Sequence, residues 1–158
     1  MIAEEISSLK KFMHALFCSD TFDSFFVHSI SITTFATVTY DGRIVRDYYS
    51  EDDPEKDYEY CTYKMLRPFC YQTVKGSKLP VRFKFILALK QSHIRQLLNE
   101  IETTITQQDV NGLFINIKYE AGKAYVTTGT SLNIFTMDKS LEQTFDRYIS
   151  KLVSTLCD

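Results

Sequence analysis

Residues 81–89 constrain most tightly what this chain can fold into. Val81, Phe83, Phe85 and Leu87 alternate with Arg82 and Lys84, and a period of two sends successive side chains to opposite faces of a sheet. One face of this strand is apolar and the other cationic. The strand therefore belongs to a sheet with one buried face and one face toward water.

Other segments carry the same signature. Phe26, His28, Ile30 and Ile32 alternate, as do Phe35, Thr37 and Thr39. Tyr40-Asp41-Gly42-Arg43 reads as a hairpin turn, since Asp-Gly supplies the positive φ angles that tight turns need. Residues 43–49 would then form the returning strand. Leu113, Ile115 and Ile117 alternate up to a second turn at Glu120-Ala121-Gly122-Lys123, and the chain returns through Tyr125 and Thr127. Gly129 is expected to break that strand, with Leu132, Ile134 and Thr136 forming another. Residues 1–6 complete the set as a short first strand.

Between these strands the period changes to that of helices. Leu9, Phe12, Met13, Leu16 and Phe17 form one stripe over 7–17, and Ile94, Leu97, Leu98 and Ile101 another over 92–103. A helix is expected over 63–74, split by Pro68 or carrying it in its first turn, and closed by Lys75-Gly76. A long terminal helix over 139–156 presents Leu141, Phe145, Tyr148, Ile149, Leu152 and Val153.

Consecutive hairpins and interspersed helices predict an α+β fold, a mainly antiparallel sheet with helices on one face. The order reads β-α-β-β-β twice. It suggests a duplication within a single domain of residues 1–158, with pseudo-repeats 1–50 and 80–136, a joining helix 60–75 and a C-terminal helix 138–157. A half-ring of a sliding DNA clamp has a similar order, and Lys10, Lys11, Lys90 and Arg95 would be its duplex-facing cations. That analogy is one of topology alone.

Composition narrows the function classes. At 158 residues and a net charge of −2, one domain is expected, and whole-chain electrostatics favour neither nucleic acid nor an anionic membrane. Glu4 and Glu5 stand where a secretory leader would carry its basic residues. The longest apolar runs, such as 85–89, are too short to span a bilayer. A soluble, cytoplasmic protein without a membrane partner is expected. Cys18, Cys61, Cys70 and Cys157 are scattered without a CxxC pair, so free thiols are expected rather than a metal site. No cofactor is implied.

Charge is unevenly distributed. Asp41, Asp47, Glu51, Asp52, Asp53, Glu55, Asp57 and Glu59 crowd one stretch, while 60–99 contains no acidic residue and eight cations: Lys64, Arg67, Lys75, Lys78, Arg82, Lys84, Lys90 and Arg95. Interleaved with Tyr63, Phe69, Tyr71, Phe83 and Phe85, these cations suggest a patch for phosphate or nucleic acid. Arg82 and Lys84 share a strand face and are the best-aimed pair. Thr128-Gly129-Thr130-Ser131 offers hydroxyls for an anion-binding nest, with Lys123 and Lys139 as neighbours. Against catalysis, no Ser sits in a nucleophile elbow. His28 reads as a core histidine, and His14 and His93 as helix residues.

At the level of the whole chain, the sequence resembles a family of small, uncharacterised proteins from clostridial-type bacteria, a domain of unknown function. The resemblance rests on Phe22-Asp23-Ser24-Phe25, Ser31-Ile32-Thr33-Thr34-Phe35, Asp41-Gly42-Arg43, Arg67-Pro68-Phe69-Cys70 and Lys75-Gly76. It continues through Gly112-Leu113-Phe114, Thr128 to Leu132 and Phe135 to Leu141. It implies a cytoplasmic bacterial setting and no assigned activity.

The leading expectation is a non-catalytic binding or regulatory domain facing nucleic acid or another anionic partner. Its contact surface would join Arg67, Lys75, Arg82 and Lys84 to Thr128, Thr130, Ser131 and Lys139. The competing expectation is a small enzyme or small-molecule-binding protein with a pocket near His28, Cys61 and Cys70. A third is a homo-oligomer joined through Tyr48, Tyr49, Tyr58 and Tyr60.

Overall fold

A computed structural model describes residues 1–76 and 78–158. Six strands form one sheet: β1 (Ala3–Glu5), β2 (Phe26–Thr33), β3 (Thr37–Asp41), β4 (Arg82–Ala88), β5 (Val110–Glu120) and β6 (Lys123–Leu132). Their order is β1-β6-β5-β4-β2-β3, and every neighbouring pair is antiparallel. Four helices alternate with them: α1 (Leu9–Cys18), α2 (Tyr63–Val74), α3 (Gln91–Asn99) and α4 (Ser140–Cys157). The α+β class and the antiparallel sheet are as the alternation predicts.

The helices lie on the apolar face. Val27, Ile30, Ile32, Phe83, Phe85, Leu87, Leu113, Ile115 and Ile117 are all buried there against Phe12, Leu16, Ile94, Phe145 and Ile149 from the helices. Phe85 lies at the centre, edge-on to Phe17, Tyr63 and Phe83. Each fully buried ring of this kind contributes about 2–3 kcal/mol. The buried Tyr63 hydroxyl donates to the Leu16 carbonyl at 2.8 Å, tying α2 to α1. Burial pushes that phenol's pKa well above its ordinary value.

Pro68 neither splits α2 nor lies in its first turn; the helix runs through it. The helix is fastened on both sides of the proline, by the buried Tyr63 and Cys70 and by Arg67, whose guanidinium grips Asp23 with two hydrogen bonds of 2.8 and 3.0 Å. These contacts offset the missing backbone donor. The helix α3 ends at Asn99, before the expected 103, and the expected helix start at residue 7 moves to Leu9.

The strands depart from expectation in four places. β2 carries a bulge between Val27 and Ser29, which changes the phase of the alternation. Val27, Ile30 and Ile32 face the core, whereas Phe26 and His28 do not share that face. The reading of His28 as a core histidine is therefore corrected. The β2–β3 hairpin turns at Thr34, whose amide donates to Ala36 O at 3.0 Å, and not at Asp41-Gly42.

Residues 43–49 form no strand. Gly42 passes so close to β2 that a Cβ there would lie 1.7 Å from the Val27 carbonyl oxygen, so glycine is needed for proximity rather than for positive φ. Beyond it the chain leaves β3 and pairs with 59–61: the Ile44 amide donates to Glu59 O at 3.0 Å and the Cys61 amide to Gly42 O at 2.7 Å. Lastly, Gly129 does not interrupt β6, which runs on to Leu132, and no further strand forms over 133–136. The last strand of each expected repeat is thus absent among the described residues. The turn at 120–123 stands as read, with positive φ at both Ala121 and Gly122, the requirement of a two-residue hairpin loop.

Candidate functional site

Helices cover only one face of the sheet, and strand register fixes what the other face displays. Ser31, Lys84, Lys118, Tyr125 and Glu5 lie side by side across β2, β4, β5, β6 and β1. In the next row Thr33, Arg82, Glu120 and Lys123 are neighbours. Lys118 approaches Glu120 at 3.7 Å, and Lys123 approaches Glu5 at 3.8 Å. Arg82 and Lys84, both exposed, have no carboxylate within ion-pair distance among the described residues. Lys84 stands directly opposite Lys118, a like-charge pairing that works against sheet stability by about 0.2–1 kcal/mol.

Four residues along β4 from Lys84, about 13 Å at the usual strand rise, the same face changes character. Phe26, Ala88 and Phe114 are successive cross-strand neighbours, followed by Gly129. A small side chain between two rings leaves a depression, and the residues before α2 build it into a cleft of ≈ 340 Å³. Tyr60 stacks on His28 with centroids 3.9 Å apart, Phe114 meets the imidazole edge-on at 5.0 Å, and Tyr58 packs edge-on against Phe26 at 5.8 Å. The bulge places His28 here. Gly112 makes room for Phe114, because a Cβ would lie 2.5 Å from its ring. Asp57 and Glu59 also line the cleft, with Gln91 and Asn111. Burial lowers the His28 pKa, opposed by Glu59 and reinforced by Arg43, so the imidazole is neutral at pH 7.

The site residues expected from sequence do not all come together. Arg82 and Lys84 share the uncovered face, whereas Arg67, on α2, is committed to Asp23. Lys75 ends α2, its amide donating to Tyr71 O at 2.9 Å, and lines a separate groove with Lys78 and the fully exposed Phe35. The Thr128 hydroxyl donates to Asp146 at 2.6 Å and accepts from the Ile2 amide. Ser131 Oγ faces the Asn111 amide nitrogen at 3.3 Å. Thr130 Oγ1 is buried without a partner, and it lines a cleft with Lys139. Asp138 and Glu142 line that cleft too, which makes it a poor seat for an anion. Asp138 stays ionised, its pKa lowered by hydrogen bonds from Ser140 and Thr103.

The pocket expected near His28, Cys61 and Cys70 exists only around His28. Cys70 is fully buried in the core, where its thiol pKa is pushed up to about 12. Burial, and then Asp41, also raise the Cys61 thiol. Neither is a ready nucleophile at neutral pH. Of the tyrosines expected at an oligomer interface, Tyr58 and Tyr60 are half-buried in the cleft, whereas Tyr48 is exposed. Sequence reasoning missed Lys118 and Phe114 as site residues and assigned Tyr60 to an oligomer interface instead of a cleft. Lys118 lies in a visible alternation, but only register sets it opposite Lys84.

Fold and surface together define an α+β domain with one sheet face left open, carrying Arg82, Lys84 and Lys118 toward one end of the strands and aromatic rings toward the other. The chain belongs to DUF5721, a family of unknown function, whose family model matches residues 15–156. No curated protein and no solved structure matches it. Among the described residues, no helix is long and apolar enough to cross a membrane.

Proposed function

We propose that this is a non-catalytic binding domain whose uncovered sheet face takes a polyanion, with a single strand of nucleic acid as the best fit. The observation that carries the reading is the like-charge opposition of Lys84 and Lys118, offset only by Glu120 beside Lys118, with Arg82, which has no ion-pair partner among the described residues, one row away. Folding has placed cations together where their mutual repulsion weakens the sheet. A phosphate between them would turn that repulsion into charge-assisted hydrogen bonding.

A flat sheet face suits a single strand, whose phosphates track a basic surface while bases stack on exposed rings. Tyr125, half exposed, is the cross-strand neighbour of Lys118, and Ser31 adds a hydroxyl beside Lys84. The elevated thiol pKa values of Cys61 and Cys70 favour binding over covalent catalysis.

Fluorescence anisotropy with a labelled single-stranded oligonucleotide, repeated over a salt series, tests this. Affinity should fall steeply with salt. Lys84→Ala should weaken binding and reduce the salt slope by about one. Binding that ignores both salt and Lys84 would sink the reading.

A further inference from the structure

The aromatic cleft calls for a ligand of the opposite charge. Its walls are the rings of Phe26, Tyr58, Tyr60, Phe114 and His28, and its charged lining residues are Asp57 and Glu59, with no Lys or Arg among the lining residues. We propose that this cleft binds an organic cation, an ammonium or guanidinium group on a small apolar or aromatic body. The reading is independent of the polyanion row: different residues carry it, and either can fail alone.

Three features argue that the cleft is built for occupancy. The sequence of side chains along its floor is large, small, large, with Ala88 between Phe26 and Phe114. Gly112 is the residue over which the Phe114 ring lies, and any side chain there would displace that ring. Moreover, the 57–60 segment that raises the far wall is anchored through Gly42, which tolerates no Cβ against Val27. The volume of ≈ 340 Å³ falls at the small end of the range for ligand pockets, about 300–1,000 Å³.

Charge then selects among ligands. Aromatic walls strip water from an apolar body and attract a cation through their ring electrons, and the exposed Asp57 and Glu59 carboxylates draw it in and pair with it. An anion would meet two carboxylates with no counter-charge in the lining. His28 adds no positive charge at neutral pH because burial keeps it deprotonated. Arg43 neighbours Tyr60 through a single backbone bridge and acts on His28 from there, but it does not line the cavity.

The test is an NMR titration of backbone amides with two probes of matched shape, phenethylamine and 3-phenylpropionate. Phenethylamine should shift the amides of Tyr60, Gly112 and Phe114 saturably, and 3-phenylpropionate should not. The double variant Asp57→Asn/Glu59→Gln, which leaves the rings in place, should weaken phenethylamine binding by about tenfold, near 1.4 kcal/mol. Circular dichroism and the melting temperature establish that this variant is folded; should it unfold, each single substitution is titrated and should weaken binding by a smaller factor. Equal binding of both probes, preference for the carboxylate, no saturable shift at millimolar phenethylamine, or unchanged affinity after the substitutions would each overturn the proposal.

Discussion

The basic row and the aromatic cleft occupy the same face of the same strands, yet they are opposites in chemistry and in what folding spends on them. At the row, Lys84 confronts Lys118 and the sheet is weaker for it. At the cleft, Phe26, Ala88 and Phe114 interlock with His28 and Tyr60, and the packing itself stabilises the strand ends. The sheet supplies only spacing and parity. Local residue choice decides that one end sets like charges opposite each other while the other forms a concave cleft lined by Asp57 and Glu59. One region is therefore tunable without harm to the fold, and the other is not.

Gly42→Ala should break the cleft and much of the fold with it. The added Cβ would sit 1.7 Å from a backbone oxygen of Val27, and backbone cannot step aside as a side chain can. A loss of about 3 kcal/mol or more is expected in urea unfolding. Gly112→Ala is the sharper comparison. Its Cβ meets the far end of the Phe114 ring at 2.5 Å, and that ring can swing away. A stability loss of about 1 kcal/mol or less, with altered amide shifts at His28 and Tyr60, is the expected result. Similar losses for the two variants would refute the distinction drawn between them.

At the row the sign should reverse. Lys118→Glu replaces a like-charge pair with an opposite-charge pair across β4 and β5, although it also sets a carboxylate near Glu120. A gain of up to about 0.5 kcal/mol is expected, while oligonucleotide affinity drops by about tenfold or more. Stability and binding moving in opposite directions would mark the row as a functional surface. A variant that lost both would point instead to a structural role for Lys118.

The row was partly legible in sequence and the cleft was not, for a physical reason. Arg82 and Lys84 announce their shared face by alternating with Phe83 and Phe85, because parity is local. Opposition of Lys84 to Lys118 depends on register between segments over thirty residues apart, which no local pattern encodes. His28 was misread because a single bulge reverses the phase of β2, and the alternation of Phe26, His28, Ile30 and Ile32 looks unbroken in one dimension. Asp41-Gly42 reads as a hairpin turn because Gly serves two purposes, positive φ and close approach, and only the neighbouring strand distinguishes them. Arg67 reads as free in sequence because its partner, Asp23, lies in the turn between α1 and β2, 44 residues away.

The smallest expected effect separates the two regions by pH. His28 has its folded pKa lowered from about 6.5, chiefly by burial, and a histidine buried neutral binds its proton more readily once unfolded. Its contribution to stability is fully present above pH 6.5 and is lost as pH falls from there toward the lower folded pKa, where the loss levels off. Glu59 and Arg43 act on the same imidazole in opposite directions, so the window is set mainly by desolvation. His93, half-buried against Tyr148, shifts the same way and must be separated from it. Urea midpoints at pH 7.5, 6.5 and 5.5 should decline in the native chain, and His28→Gln should remove part of that decline while His93→Gln removes the rest. The row, which carries no histidine, should contribute nothing to the slope. If His28→Gln leaves the decline unchanged, the imidazole is not held neutral by the cleft, and the contrast between the two ends of the sheet loses its electrostatic half.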